Sequence, residues 1–406
     1  MIIIKREPEK TRANSFNYDY WLLFTAILLL SIGLLLLASA SLGVAGEQYH
    51  NSFHFLMRQI IYIMVGIGFI AIIIRVPLSF WEHVGGQLIL LSIALLCLVL
   101  IPGIGKQING STRWIGMGIL TLQVSELVKF AMVIYMAGYL VRRQDEVHSS
   151  IKGFLKPMLL LAIVCGLLLR EPDFGAAVVI VCTVLGMLFL ARARLWQFAI
   201  LLIVVGAIFS VIAIDSPYRL ARLTSFINPW ATPFGSGYQL TQSLIAFGRG
   251  GIFGVGLGNG IQKLFYLPEA HTDFLFAVLA EEWGVIGQAV VLALFGFFVW
   301  RILYLGKTAE KLHDNFIAYL AYGLGLLLGL QVIINVGVNL GLLPTKGLTL
   351  PLMSYGGSSM LFNCAIVGII LRIYHELHQD NLQLITKTKK HRRELRISRA
   401  VLKNPH

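Results

Sequence analysis

The stretch Trp21-Leu-Leu-Phe-Thr-Ala-Ile-Leu-Leu-Leu-Ser-Ile-Gly-Leu-Leu-Leu-Leu-Ala-Ser-Ala-Ser41 carries no charge. About 20 such residues in a helix cross the hydrocarbon core of a bilayer. The residues ahead of it are polar, with Lys5, Arg6, Lys10 and Arg12, and no convincing cleavage site follows. The segment therefore reads as a retained first helix and not a removed signal peptide. Working outward, the pattern recurs at roughly 57–75, 86–102, 124–141, 156–170, 174–191, 196–214, 274–300, 316–342 and 352–374. The expected fold is an all-α integral membrane bundle of about ten transmembrane helices. Residues 1–20 and the basic stretch 375–406 form cytoplasmic tails around a membrane domain spanning 21–374.

Composition agrees with that class. Of 406 residues 57% are apolar and only 13% charged, half the roughly 25% of a soluble domain. Basic residues outnumber acidic ones, 33 to 20, but they sit at the ends of apolar runs and in the C-terminal tail. That is where topology places them, so a nucleic-acid partner is excluded. Most Lys and Arg fall on one side if both termini lie in the cytoplasm. The tail from Lys387 to Lys403 either rests on anionic lipid or stays solvated. Cys97, Cys165, Cys182 and Cys364 lie inside apolar runs without metal-like spacing and read as small apolar fillers. No internal repeat is evident, which weakens an inverted-repeat transporter reading.

One connection, 215–273, is far longer than ordinary loops. It holds an amphipathic stretch, Tyr238–Phe247, expected as an interfacial or partly embedded helix on the extracytoplasmic side. Its glycine run, Gly248 to Gly260, lacks the Lys-Ser/Thr of a phosphate loop and follows no strand. Close backbone packing or conformational freedom accounts for it better.

The even-numbered helices start on the extracytoplasmic side, so their positive dipole ends face it together. Unusual residues gather there: Thr121–Lys129, Arg170–Gly175, Pro268–Asp273 and Lys346–Ser359. Free N–H groups at helix starts receive anions readily. Glu126 and Lys129, three apart inside a span, form either a cavity wall or a self-neutralising packing pair. Asp273 is either an ordinary N-cap or a general base beside His271, Thr272 and Glu269. Arg222, Arg249, Lys263 and Lys346 share its side and are candidates to hold a diphosphate. His50 and His54 have no third ligand near them and read as surface or capping histidines.

Several long strings resemble the SEDS family of bacterial cell-wall proteins. They are Asn109-Gly-Ser-Thr-Arg-Trp114, Gln123–Lys129, Asp145–Pro157, Glu171-Pro-Asp-Phe-Gly175, Phe226–Trp230, Gly237–Ser243, Leu267–Asp273 and Pro344–Ser358. The resemblance covers nearly the whole membrane domain. It lies nearer the family's division branch than its elongation branch on Gly237–Ser243 and Thr345–Ser359. It implies a ten-helix glycosyltransferase that polymerises lipid II, the undecaprenyl-diphosphate-linked disaccharide-pentapeptide, in septal wall synthesis. By position, Asp273 matches the family's essential aspartate, Lys346 its lysine, and Glu126 with Lys129 its intramembrane ion pair. Arg113, Ser354 and Gly356 join the candidate substrate-binding set from the matching strings. The implied partners are a division-specific class B penicillin-binding transpeptidase, divisome regulators and membrane lipids. No organic cofactor is implied, though Mg2+ or Mn2+ could bridge the diphosphate. Two other function classes stand beside this one: a lipid II flippase and a non-catalytic divisome scaffold.

Overall fold

The computed structural model describes residues 17–108, 111–117, 120–192, 226–345 and 347–403, with single positions at 196, 203 and 206. Helices dominate. They are α1 (Tyr20–Tyr49), α2 (His54–Ile73), α3 (Leu78–Val99), α4 (Val124–Arg142), α5 (Gln144–Ser149), α6 (Ile151–Arg170), α7 (Phe174–Leu190), α8 (Tyr238–Gly250), α9 (Leu275–Lys311), α10 (Asn315–Asn339) and α11 (Gly357–Lys403). Among the described residues, eight helices are long and apolar enough to cross a membrane, and α7 is a shorter apolar helix of 17 residues. These nine match nine of the ten expected spans. The remaining one, 196–214, falls almost wholly outside the described residues, as does Arg222. The chain is a multi-pass membrane protein.

Several ends are fixed by carboxylates that accept the otherwise unpaired first-turn N–H groups. Asp19 caps α1 through Leu22 N at 3.3 Å, Asp173 caps α7 through Ala176 N at 3.2 Å, and Asp314 caps α10 through Ile317 N at 3.2 Å. Asp19 also meets Arg301 Nε at 2.6 Å, tying the start of α1 to the second half of α9. The third span starts earlier than its apolar run suggests, at Leu78, whose N–H donates to Glu376 Oε1 on α11 at 2.9 Å. The last starts later, at Gly357, because Pro351–Ser354 form a turn with Leu352 at φ 63°.

Helix α4 is the centre of the bundle. Its apolar window is 83% buried, against 28% for α2 and α3. The outward residues of α2, among them Ile61, Met64, Ile67 and Ile72, are exposed and apolar, as lipid requires and water does not.

Two features were not anticipated from the sequence. The first is a small antiparallel sheet between α3 and α4, β1 (Gly105–Ile108), β2 (Ser111–Met117) and β3 (Leu120–Gln123), in the order β1-β2-β3. Trp114 pairs with Gln123 and with Lys106, and a bulge falls between Lys106 and Gln107. The second is a break in α9 at Gly284, with φ 64° and ψ −162°. The glycine segment after α8 fills it. Val255 N and Gly256 N donate to Glu281 O and Glu282 O, each at 3.0 Å. In return Val285 N and Ile286 N donate to Gly251 O and Ile252 O, at 3.0 and 3.2 Å. A Cβ on Gly250 would fall on the Ala280 carbonyl, and one on Gly254 (φ 81°) on the Glu282 carbonyl. Close backbone approach thus explains why glycine recurs there.

Candidate functional site

The N-termini of α4, α7, α9 and α11 converge. Ser358, at the start of α11, accepts from Gln123 N at 2.8 Å and donates to Thr121 O at 2.9 Å, docking β3 onto that helix. Gln123 Nε2 reaches Asp173 Oδ2 at 3.5 Å, joining α4 to α7. Asn335 Nδ2 on α10 donates to Asp273 O at 2.9 Å and to Leu348 O at 2.6 Å, joining the start of α9 to the strand-like stretch before α11.

Between these ends lies a cavity of about 20 Å³, room for roughly one water. Gln123, Ser125, Glu126, Lys129, Asp173, Gly347 and Thr349 line it. Lys129 Nζ donates to Glu126 Oε1 at 2.9 Å, and both residues are buried. The pair is self-neutralising, and both side chains also line this small cavity.

Asp273 stands beside this cavity. A Cβ on Gly347 would lie 2.9 Å from Asp273 Oδ2, so a side chain there would crowd the carboxylate. The cap position of α9 falls on Phe274, one residue after Asp273. Its carbonyl accepts from Asn335 and from Asn339 Nδ2 at 3.0 Å. The preceding turn is tied by Glu269, itself at φ 56°. Its carbonyl accepts from Thr272 N and Phe274 N, and its Oε2 from Thr272 Oγ1 at 2.6 Å. Thr272 and Glu269 therefore hold each other and shape the turn.

His271 packs against Phe55 at 4.5 Å and Tyr355 at 5.7 Å between ring centroids. Burial lowers the His271 pKa, with Glu269 opposing, and burial raises that of Tyr355, with Arg58 opposing. His54 stacks on Tyr49 at 3.8 Å.

The other predicted substrate contacts divide. Arg113 on β2 reaches Asp173 Oδ1 at 3.4 Å and Ser111 Oγ at 2.9 Å, at the edge of the cavity. Ser354 is buried and its hydroxyl accepts from Leu350 N at 3.0 Å, while Gly356 N donates to Gln59 Oε1 at 3.4 Å. Those two positions shape the turn before α11. Arg249 and Lys263 do not line the cavity. Arg249 pairs with Glu281 at 3.4 Å, and Lys263 with Glu282 at 2.6 Å. Lys346 lies outside the described residues.

Sequence reasoning left Asp173, Gln123, Asn335, Asn339 and Glu171 out of the candidate set. Asn335 and Asn339, four apart inside an apolar span, were the legible signal, since polar side chains in hydrocarbon face a bundle interior. Glu171 is fully buried and neither carboxyl oxygen has a hydrogen-bond partner among the described residues. Burial first, then Asp173, pushes its pKa up to about 8 against the pull of Arg113.

A family model described as cell cycle protein, FtsW/RodA/SpoVE, matches residues 20–379. The probable peptidoglycan glycosyltransferase FtsW of Coxiella burnetii is 57% identical over 368 residues, 91% of this chain and 99% of that one. The protein of the same description from Legionella pneumophila is 55% identical, covering 90% and 93%. The chain is also similar to one solved in work on structural coordination of polymerization and crosslinking by a peptidoglycan synthase complex. That match has TM-score 0.71 and 28% identity over 89% of this chain and 99% of that one. The rod shape determining protein RodA of Thermus thermophilus gives TM-score 0.66 and 27% identity, covering 90% and 98%.

Proposed function

The chain belongs to the FtsW/RodA/SpoVE family of cell cycle proteins and is a peptidoglycan glycosyltransferase, and we propose that it polymerises lipid II into β-1,4 glycan strands with Asp273 as general base. The observation that carries this is the position of the Asp273 carboxylate, against Gly347, which lines a cavity between the starts of α4 and α7.

In this reading Asp273 takes the proton from the acceptor 4-hydroxyl as that oxygen bonds to the donor's anomeric carbon. The carbon's bond to the diphosphate breaks, and the electron pair leaves on the lipid diphosphate. Attack opposite the leaving group converts an α-linked donor into a β-linked product. General-base assistance of this kind is worth about 10²–10⁴-fold. Leaving-group charge is met by outward N–H groups of the convergent helices, by Arg113 and by Lys346. Among the described residues no group of three His, Cys, Asp or Glu side chains could hold a metal. Those side chains do not make a site for Mg2+ or Mn2+.

The reading also includes both termini in the cytoplasm, work at the division septum with its regulators, and a class B penicillin-binding transpeptidase as partner. Similarity to a chain from a polymerising and crosslinking complex supports the last of these. The test is glycan-strand formation from purified lipid II by the chain co-purified with that partner. Polymer from wild type and none from Asp273→Ala is the expected outcome. Near-wild-type polymer from Asp273→Ala would sink the base assignment. Loss of lipid transport in Glu126→Ala, with none in Asp273→Ala, would favour a flippase instead.

A further inference from the structure

The ~9 residues that follow Asp273 and Phe274 form a half-helix of about 14 Å, Leu275–Trp283, which ends at the Gly284 break. Its upper end is held by Asn335 and Asn339 through the Asp273 carbonyl. Its lower end carries two adjacent and wholly buried carboxylates, Glu281 and Glu282. Glu281 accepts from Ile261 N at 2.9 Å and Gln262 N at 3.1 Å, with Arg249 at 3.4 Å. Glu282 Oε1 accepts from Lys263 Nζ at 2.6 Å and from Ser39 Oγ of α1 at 2.7 Å. Lys263 Nζ completes its set with Ser39 Oγ at 2.6 Å and the Gly258 carbonyl at 2.9 Å.

An ammonium has three N–H groups, and all three are used here. Lys263 thus has no donor left for a substrate diphosphate. Burying such a pair adds little or nothing to stability, because desolvation offsets the attraction. The best-attested use of buried ionic contacts is to fix register. The register available here is that of the half-helix against the loop below it and against α1.

We propose that Lys263, Glu281 and Glu282 are positioning residues: they clamp the lower end of the half-helix across the Gly284 break, and so aim the Asp273 carboxylate at the cavity. This rests on the reading of Asp273 as the base. No clamp residue lines the cavity beside Asp273, whereas Lys263 and Ser39 line a separate cavity of about 480 Å³ among apolar residues of α1. A clamp that acts through Asp273 lowers kcat, and a role at that second cavity raises KM instead. A shift of about 1 Å in a reacting group lowers a rate by roughly a hundredfold.

The experiment compares wild type, Lys263→Met, Lys263→Arg and the charge-neutral double variant Lys263→Met/Glu282→Gln, all as full chains with the transpeptidase partner. It reads kcat and KM on lipid II, and amide hydrogen exchange by mass spectrometry. In Lys263→Met kcat falls roughly a hundredfold with KM within about twofold, and Lys263→Arg recovers much of the loss. Exchange rises across 275–283 and not across 285–311. If Lys263→Met does not fold, the double variant is read in its place. A kcat within about twofold of wild type overturns the clamp, as does a rise in KM at constant kcat, which would return Lys263 to substrate binding. If wild type itself makes no polymer, the enzyme reading fails. The exchange data then judge the clamp alone: faster exchange in 275–283 upholds it and unchanged exchange overturns it.

Discussion

Replacing Glu171 with Gln should change how stability responds to pH. Wild-type Glu171 has no hydrogen-bond partner for either oxygen among the described residues, is fully buried, and has its pKa pushed from 4.5 up to about 8. Between those two values the folded chain holds the proton and the unfolded chain does not. Stability therefore falls as pH rises through the window and levels off above it. The slope is at most about 1.4 kcal/mol per pH unit. Solvent reaching past the partly exposed Arg113 keeps the measured slope below that ceiling. Gln has no proton to lose, so the variant and wild type should unfold alike at about pH 5 and diverge toward about pH 8, with the variant the more stable by a few degrees in Tm. The assay is thermal unfolding of both proteins in one detergent across that range. A Tm difference that stays flat, or that favours wild type at alkaline pH, would mean that Arg113 holds Glu171 ionised and the reasoning is wrong.

Three further outcomes follow from the packing. Gly254→Ala places a Cβ on the Glu282 carbonyl at a positive φ and should prevent accumulation of folded protein. Gly248→Ala, with open space around it inside α8, should be neutral or add about 0.5–1 kcal/mol, and Tm in detergent separates the two. Lys129→Met strands the buried Glu126 and should cost about 3–5 kcal/mol, whereas Glu126→Gln/Lys129→Met should cost much less. Equal losses in the single and double variants, measured by unfolding, would show that the pair is not coupled.

The spans were legible because hydrocarbon admits only long apolar helices, and the chain writes them as uninterrupted runs. Convergence of four helix starts was legible too, since alternate helices must begin on the same side. The sheet was not. Strands of four, seven and four residues carry too little alternation to stand out, and their pairing depends on a hairpin fold-back. The break in α9 was hidden because one glycine in an apolar span is common and neighbouring segments can satisfy the freed backbone groups. That concealment also misdirected Arg249 and Lys263. Their charges sit on the expected loop, but their partners Glu281 and Glu282 lie within a span that read as continuous. Spacing alone does not reveal a loop folding back into a helix. Glu171 stood in a recognised string, yet its isolation depends on burial, which no local pattern reports.

The seam between residues 251–256 and 281–286 is built from main-chain atoms on both sides. Substitutions that spare the glycines leave it untouched, but it is intolerant of changes in chain length. One residue inserted between Ile252 and Val255 would keep the two pairs of seam bonds from being in register together. A tag, probe or fused domain introduced into this region would have to respect that spacing more strictly than it respects any single side chain.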